Sequence, residues 1–218
     1  MNVENILNFL SELKENNDKE WFDQNRSRYQ KVKKEFESVI QEVIDGLSLI
    51  DESIADQEPK KCIFRIFRDV RFSKNKTPYK TNFGAFISKE GRKSHFGGYY
   101  LHLEPGKCMI AGGSYMPEAE ALKKIRQEID YNADDFLSIL NNKDFSSNYG
   151  GLVGDQLKTA PKGYPKDHPQ IELLRFKSFI VSKSVSDKDI LAISVDDLVQ
   201  QFSILKPFND FLNVAIKD

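Results

Sequence analysis

Apolar residues in the first fifty positions recur every three or four residues, which is the spacing of amphipathic helices. This pattern predicts a first helix that Asn2 caps and that ends at the pair Asn16-Asn17. Asp18 is the predicted cap of one long second helix, and Gly46 lies near the end of that helix. The apolar stripe of the second helix is formed by Phe22, Tyr29, Val32, Phe36, Val39, Ile40, Val43 and Leu47.

From Cys62 the apolar period changes to two, which predicts a strand over 62–72. The aromatic residues Phe64 and Phe72 fall on the apolar face of this strand and are predicted to face the core. The pair Gly112-Gly113 is interpreted as a tight turn before a helix that begins near Pro117. Further strands are predicted at 83–88, 99–104, 108–111 and 179–182, and further helices at 132–140, 187–201 and from Ile204 or Pro207 to Ile216.

The order of these elements predicts an α+β fold, with a mainly antiparallel sheet packed by N-terminal and C-terminal helices. The 218 residues contain no linker composition, so we expect one domain over 1–218. No apolar run approaches the roughly 20 residues of a membrane span, and the N-terminus lacks the pattern of a secretory signal. We therefore expect a cytoplasmic protein in which Cys62 and Cys108 are free thiols.

Charge is unevenly distributed along the chain. Residues 60–80, the basic segment, contain eight basic side chains and one acid, a net charge of +7. Because the whole chain has a net charge of −1, the remainder carries −8. The basic side chains are Lys60, Lys61, Arg65, Arg68, Arg71, Lys74, Lys76 and Lys80.

The basic segment combines arginine forks, lysine ammonium groups and hydroxyl donors, which are the groups that recognise phosphates and carboxylates. Asp69 lies between two arginines and is expected to orient one of them. The leading interpretation is therefore a site for a small anionic ligand. The alternatives are a nucleic-acid-binding module and an internal salt-bridge network with a structural or protein-interaction role. The predicted anion-binding residues are Arg65, Arg68, Asp69, Arg71, Lys74, Lys76, Thr77, Tyr79 and Lys80.

Four residues are candidates for proton transfer if the ligand is also a substrate. His102 and Glu104 alternate with leucines and should project, with Tyr100, from one side of a strand. This pair fits acid–base chemistry, two ligands of a metal, or a structural hydrogen bond, and no third metal ligand is indicated. Tyr79 belongs to the basic segment, and His168 lies in a loop that could approach it. No cofactor motif is present.

The run FRIFRDVRFSKNKTPYKTNFGA (64–85) resembles the signature of the family named domain of unknown function 2461. Similar pieces are NNDKEWF near Asn16, GGYYLHLEPG near Gly97, GGSYMPE near Gly112, IRQEI near Ile125 and APKGYPKDHP near Ala160. The resemblance extends over essentially the whole chain. It carries no activity, substrate or catalytic residue with it. It implies that the defining segment of the family includes Arg68, Asp69, Arg71, Lys74, Lys76, Pro78, Tyr79 and Lys80.

Overall fold

The computed structural model describes residues 1 and 3–217 and contains an antiparallel sheet. Its strands follow the chain order, because each strand pairs with the next: β1 (Phe83–Ile87), β2 (Gly98–Leu103), β3 (Cys108–Ser114) and β4 (Phe179–Val185). The helices that pack on this sheet come from both ends of the chain. The predicted α+β class is therefore confirmed.

The two faces of the sheet differ in burial. Residues of one face alternate with residues of the other along each strand, and cross-strand pairs such as Ala85–Leu101 and Leu101–Ile110 keep the faces in register. The face that packs against the helices is fully buried and apolar at most positions. The opposite face carries half-buried residues, including Tyr100 and His102. Polar chemistry is therefore available on one side of the sheet.

The N-terminal region forms three helices, α1 (Glu4–Glu15), α2 (Lys19–Gln24) and α3 (Arg26–Ser48). The Asp18 side chain caps α2 by accepting a hydrogen bond from the backbone of Trp21. The prediction of one long second helix is wrong, because the chain leaves helical geometry at Asn25. The Asn25 side chain donates to the Trp21 carbonyl and competes with helix continuation. The predicted stripe is buried on both sides of this break, and Asn2 lies outside the described residues.

The remaining helices are mostly short. The predicted helix over 187–201 is divided at Ser194, which starts a new helix through a capping box with Asp197. Pro117 precedes its helix rather than beginning it, since Glu118 is the N-cap residue. Among the described residues, no helix is long and apolar enough to cross a membrane. The helices that follow α3 are α4 (Pro59–Cys62), α5 (Ala119–Tyr131), α6 (Ala133–Asn141), α7 (Lys143–Tyr149), α8 (Ile171–Leu174), α9 (Asp187–Ala192), α10 (Val195–Ser203) and α11 (Lys206–Lys217).

The strand predicted over 62–72 is absent from the described residues. The backbone of Phe64 bonds to Gly84, but the chain then leaves the sheet and folds back on itself. Arg68 donates to the carbonyl of Pro78, and Lys80 donates to the carbonyl of Ile66. A local antiparallel hairpin replaces the strand, because these backbone groups find partners within the basic segment.

The core assignment of Phe72 is also wrong. Its side chain is 97% exposed at the tip of the hairpin loop. Phe64 is half-buried, and its ring centroid lies 6.3 Å from that of Tyr100. The apolar residues of this segment alternate as in a strand, but the segment turns near Phe72 and leaves this side chain in solvent.

Gly112 and Gly113 lie inside β3, so their interpretation as a tight turn is wrong. Gly113 pairs with Ile180 of β4 and has a φ of +109°. A Cβ atom at this position would lie 2.1 Å from the carbonyl oxygen of Phe179. The glycine is thus required by backbone conformation and by the close approach of the neighbouring strand.

Candidate anion-binding site

The end of the basic segment is fixed to the N-terminal helices. The Asn17 side chain accepts from the backbone N–H of Tyr79 at 3.1 Å and donates to its carbonyl at 3.0 Å. The Tyr79 ring stacks on Phe22 of α2, with a centroid separation of 3.9 Å and an interplanar angle of 12°. Both contacts place residues 77–82 beside the C-terminal end of α1.

Arg68 holds the hairpin loop closed from inside. Its guanidinium donates to the carbonyl of Thr77 at 3.1 Å, to the hydroxyl of the same residue, and to the hydroxyl of Ser73 at 3.4 Å. Asn75 accepts from the backbone N–H of Thr77 at 2.9 Å. The cation is therefore positioned by neutral partners and keeps its full charge for a ligand.

A surface groove lies between this loop and α1. Its cationic side chains are Lys14, Arg68 and Lys80, and none of the described residues that line it is a carboxylate. The other lining residues supply amide and hydroxyl groups. The complete lining consists of Lys14, Asn17, Arg68, Asn75, Thr77, Tyr79, Lys80, Thr81 and Asn82. Such a surface concentrates positive potential and hydrogen-bond donors at one place.

Lys80 differs from the other two cations, because among the described residues it combines partial burial with the lack of a polar partner. It is half-buried, and its ammonium group makes no hydrogen bond or ion pair within the described part of the chain. Its Nζ atom lies 5.5 Å from the ring centroid of Phe64. Burial, followed by the charge of Arg65, lowers the pKa of Lys80. The fold therefore keeps a cation where its charge is disfavoured, as is common at binding sites.

The other predicted cations lie outside the groove. Arg71 is exposed and is held by both carboxylate oxygens of Asp69 at 3.0 and 2.7 Å, as expected for the orienting role of the acid. The ammonium of Lys76 donates to the carbonyl of Val70 at 3.0 Å. Of the nine predicted anion-binding residues, Arg68, Thr77, Tyr79 and Lys80 line the groove, whereas Arg65, Asp69, Arg71, Lys74 and Lys76 do not.

Five lining residues are not among the nine predicted anion-binding residues. Lys14 lies in α1 and reaches the groove only because Asn17 fixes the loop to the end of that helix. No signal in the sequence joins position 14 to position 80. Asn75, Thr81 and Asn82 lie within the run that resembles the family signature, and their polar side chains within two positions of a lysine were the available signal.

The four candidates for proton transfer occupy different places. The Tyr79 side chain is 5% exposed and packs in the aromatic core. His168 bonds to Asp130 of α5 at 2.8 Å and to the backbone of Gln170, so its contacts are with another part of the molecule. The approach of His168 to the basic segment is not found among the described contacts.

Nε2 of His102, in β2, lies 3.3 Å from a carboxylate oxygen of Glu104, which directly follows the strand. Glu104 also accepts a hydrogen bond at 2.8 Å from Thr81, which lines the groove. Partial burial raises the pKa of Glu104, but hydrogen bonds from Thr81 and His102 outweigh this effect and leave the pKa lowered. No third metal-ligating side chain joins this pair in the described chain.

A larger depression lies at the edge of β4, and it shares no lining residue with the groove. It is lined by the carboxylates of Asp144, Asp189 and Asp197 around Lys183. The Lys183 ammonium already bonds to the side chains of Asn148 and Gln201. Its mixed charge and satisfied lysine give it no preference for an anion, so size alone does not identify the site.

Comparison with known proteins identifies the family. The model of the conserved hypothetical protein family DUF2461 matches residues 5–211. No curated protein and no solved structure matches the chain. The match covers both the helices that frame the groove and the basic segment.

Proposed function

We propose that this chain, which belongs to the conserved hypothetical protein family DUF2461, binds a small phosphorylated or carboxylated ligand in the groove. The observation that carries the proposal is the grouping of Lys14, Arg68 and Lys80 without a carboxylate among the described lining residues. An anion placed there would be attracted by three cations and would accept hydrogen bonds from neutral donors. We propose this ligand class in preference to an internal salt-bridge network.

The internal network accounts for only part of the basic segment. Arg71 and Lys61 are paired with Asp69 and Glu58, and Lys76 is bound to a backbone carbonyl. Lys80 is more buried than these three residues, yet its ammonium group has no ion pair or hydrogen bond among the described residues. Each charge-assisted hydrogen bond contributes about 1.5–3 kcal/mol, so two or three contacts support micromolar binding after the entropic cost of association.

Substitution of Lys80 separates the two interpretations. We expect Lys80→Gln to weaken binding of inorganic phosphate or of a small carboxylate by about 10- to 100-fold, the loss of one charge-assisted contact. The same variant should melt at the same temperature as the wild type or at a higher one without ligand, because burial disfavours the Lys80 charge in the folded protein. A panel of phosphates, sugar phosphates, nucleotides and carboxylates in a thermal-shift assay, followed by calorimetry, measures both effects.

The matched control is Lys74→Gln, which removes a cation from the same loop but outside the groove. It should leave the affinity for phosphate unchanged within about twofold, since an exposed charge outside the groove is screened by salt. Equal losses of affinity in the two variants would mean that the net charge of the loop, and not the groove, determines binding. A marked destabilisation of Lys80→Gln without ligand would instead support the structural network.

The exposed tip of the loop favours nucleic-acid binding as a second candidate function. Phe72 is 97% exposed, and the Arg71 guanidinium lies 5.9 Å from its ring centroid. Stacking of a base on such a ring contributes about 1–3 kcal/mol. Short single-stranded oligonucleotides in the same panel test it: binding that falls steeply with salt and is lost in Phe72→Ala would support it.

We further propose that residues 1–218 act as one domain in the cytoplasm. The buried core runs from Val3 to Ala215 and draws on helices from both ends of the chain. Cys62 and Cys108 are buried free thiols, which suits a reducing compartment.

A further inference from the structure

Two side chains of β2, Tyr100 and His102, and that of Glu104 directly after the strand form a continuous hydrogen-bonded row beside the groove. The Tyr100 hydroxyl lies 2.9 Å from Nδ1 of His102, and Nε2 of His102 lies 3.3 Å from Glu104. Both ring nitrogens of the histidine are therefore engaged, one by a hydroxyl and the other by a carboxylate. Alternation along β2 places Tyr100 and His102 on the same face, and Glu104 continues this spacing one residue beyond the strand.

The donors and acceptors of this row can be assigned from its chemistry. An ionised Glu104 only accepts hydrogen bonds, so Nε2 of His102 carries the proton and Nδ1 accepts from the Tyr100 hydroxyl. Burial, followed by the charges of Glu104 and Tyr115, raises the pKa of Tyr100 to about 12, which keeps the phenol protonated. The order hydroxyl, imidazole, carboxylate is the one that activates a hydroxyl oxygen in general-base catalysis.

His168 shows that a carboxylate partner alone does not produce this arrangement. It also bonds to an acid, Asp130, but its other ring nitrogen accepts from the backbone N–H of Gln170. No hydroxyl is involved. Among the described histidines, the hydroxyl–imidazole–carboxylate order therefore belongs to His102.

The fold also makes room for the phenol. A Cβ atom at Gly84, which faces His102 across the β1–β2 pair, would lie 2.7 Å from the Tyr100 hydroxyl. The row adjoins the groove because Thr81 donates to Glu104 and the amide nitrogen of Asn82 lies 3.5 Å from Nδ1 of His102, farther than the Tyr100 hydroxyl at 2.9 Å. The Phe64 ring joins the other end of the row to the groove, because its centroid lies 5.5 Å from Nζ of Lys80 and 6.3 Å from the ring centroid of Tyr100.

We infer that Tyr100 is the reactive end of a proton relay that acts on a hydroxyl group of the anion bound in the groove. The Tyr100 oxygen takes the proton of the ligand hydroxyl while its own proton passes to Nδ1 of His102. The electron pair of the broken O–H bond stays on the ligand oxygen, and Glu104 stabilises the imidazolium. Tyr100 is thus the catalytic residue, and His102 and Glu104 are positioning residues. The identity of the substrate, a hydroxyl-bearing phosphate or carboxylate, rests on the proposed function.

The activation of Tyr100 can be measured without a known substrate. Phenylmethanesulfonyl fluoride is an uncharged electrophile: attack by a phenol forms an O–S bond, releases fluoride and transfers the phenol proton to the base. Rates of modification are followed at each tyrosine by peptide mass spectrometry. Although Tyr100 is half-buried and Tyr115 and Tyr131 are 69% and 72% exposed, we expect Tyr100 to react about tenfold faster or more, within the range of general-base catalysis.

Variants of the row test its mechanism inside the same molecule. His102→Gln and Glu104→Gln should each slow modification of Tyr100 by about tenfold, in line with loss of the base or of its orientation, and leave the two exposed tyrosines unchanged. His168→Gln, which removes the other paired histidine, should change none of the rates. The buried tyrosines Tyr79, Tyr99 and Tyr149 should stay protected from modification in every variant, which reports that the variants fold.

Two results would overturn the relay: modification of Tyr100 no faster than that of the exposed tyrosines, or a rate at Tyr100 that does not depend on His102. Phosphate binding by the wild type and by His102→Gln is measured in parallel and should be equal, because His102 does not line the groove. Fast, His102-dependent modification without phosphate binding would overturn the anionic substrate and the proposed function, but not the activation of Tyr100.

Discussion

Gly113→Ala should destabilise the protein by about 4 kcal/mol or more, beyond the usual range for a single substitution. Its φ of +109° disfavours any side chain, and a Cβ atom would lie 2.1 Å from the carbonyl oxygen of Phe179 and 2.8 Å from the Phe208 ring. Backbone atoms cannot move aside as a flexible side chain can, so the β3–β4 pairing must distort. Chemical denaturation gives the change in free energy of unfolding, and the melting temperature should fall by roughly 8 °C or more at about 2–4 °C per kcal/mol.

Gly106→Ala is the control for backbone conformation alone. Gly106 has a φ of +78°, but a Cβ atom there meets no atom within 4 Å. We expect this variant to lose only about 1–2 kcal/mol, the cost of a left-handed conformation. Similar losses in the two variants would contradict the close approach of β4 to Gly113.

Phe22→Ala should cost about 3–5 kcal/mol, the usual range for removing a fully buried phenylalanine. The Phe22 ring is 0% exposed and lies 3.9 Å from the ring of Tyr79 and 5.0 Å from that of Tyr29. The cavity would open beneath the end of the basic segment, so anion binding should weaken as well. Denaturation by urea measures the first effect, and calorimetry with phosphate at a temperature where the variant is folded measures the second.

Phe72→Ala removes the same ring from a position that is 97% exposed. It should change the free energy of unfolding by no more than about 0.5 kcal/mol, as at other exposed positions. A loss comparable to that of Phe22→Ala would mean that Phe72 is buried in solution. The pair of variants therefore tests the correction of the core assignment directly.

The helices could be predicted from the sequence because their stripes are long and periodic. The stripe from Phe22 to Leu47 is buried as expected. The break at Asn25 could not be predicted from it, because the apolar spacing continues across the break. The strand predicted over 99–104 was found for a similar reason, since His102 and Glu104 alternate regularly with leucines. The strand predicted in the basic segment is wrong, because its alternating aromatic residues resemble a strand while its backbone pairs within itself.

The groove could be predicted only in part. Arg68, Thr77, Tyr79 and Lys80 lie close in sequence, so a local cluster of cations and donors identified them. Lys14 comes from a helix about sixty residues earlier, and only the packing of α1 against the loop brings it there. The Tyr100–His102–Glu104 row was predicted as a shared face, but the order of its hydrogen bonds depends on side-chain conformations that a pattern of residues does not specify.

The central claim is that an anion binds at the groove rather than at the exposed charges of the loop. Nuclear magnetic resonance with increasing inorganic phosphate tests it residue by residue, through backbone amides and arginine Nε–H signals. We expect saturable shifts at Thr77, Lys80, Thr81 and the Arg68 guanidinium, and none at the Arg71 guanidinium, which is paired with Asp69. Absence of saturable shifts at the groove, or shifts of similar size at Arg68 and Arg71, would contradict the account.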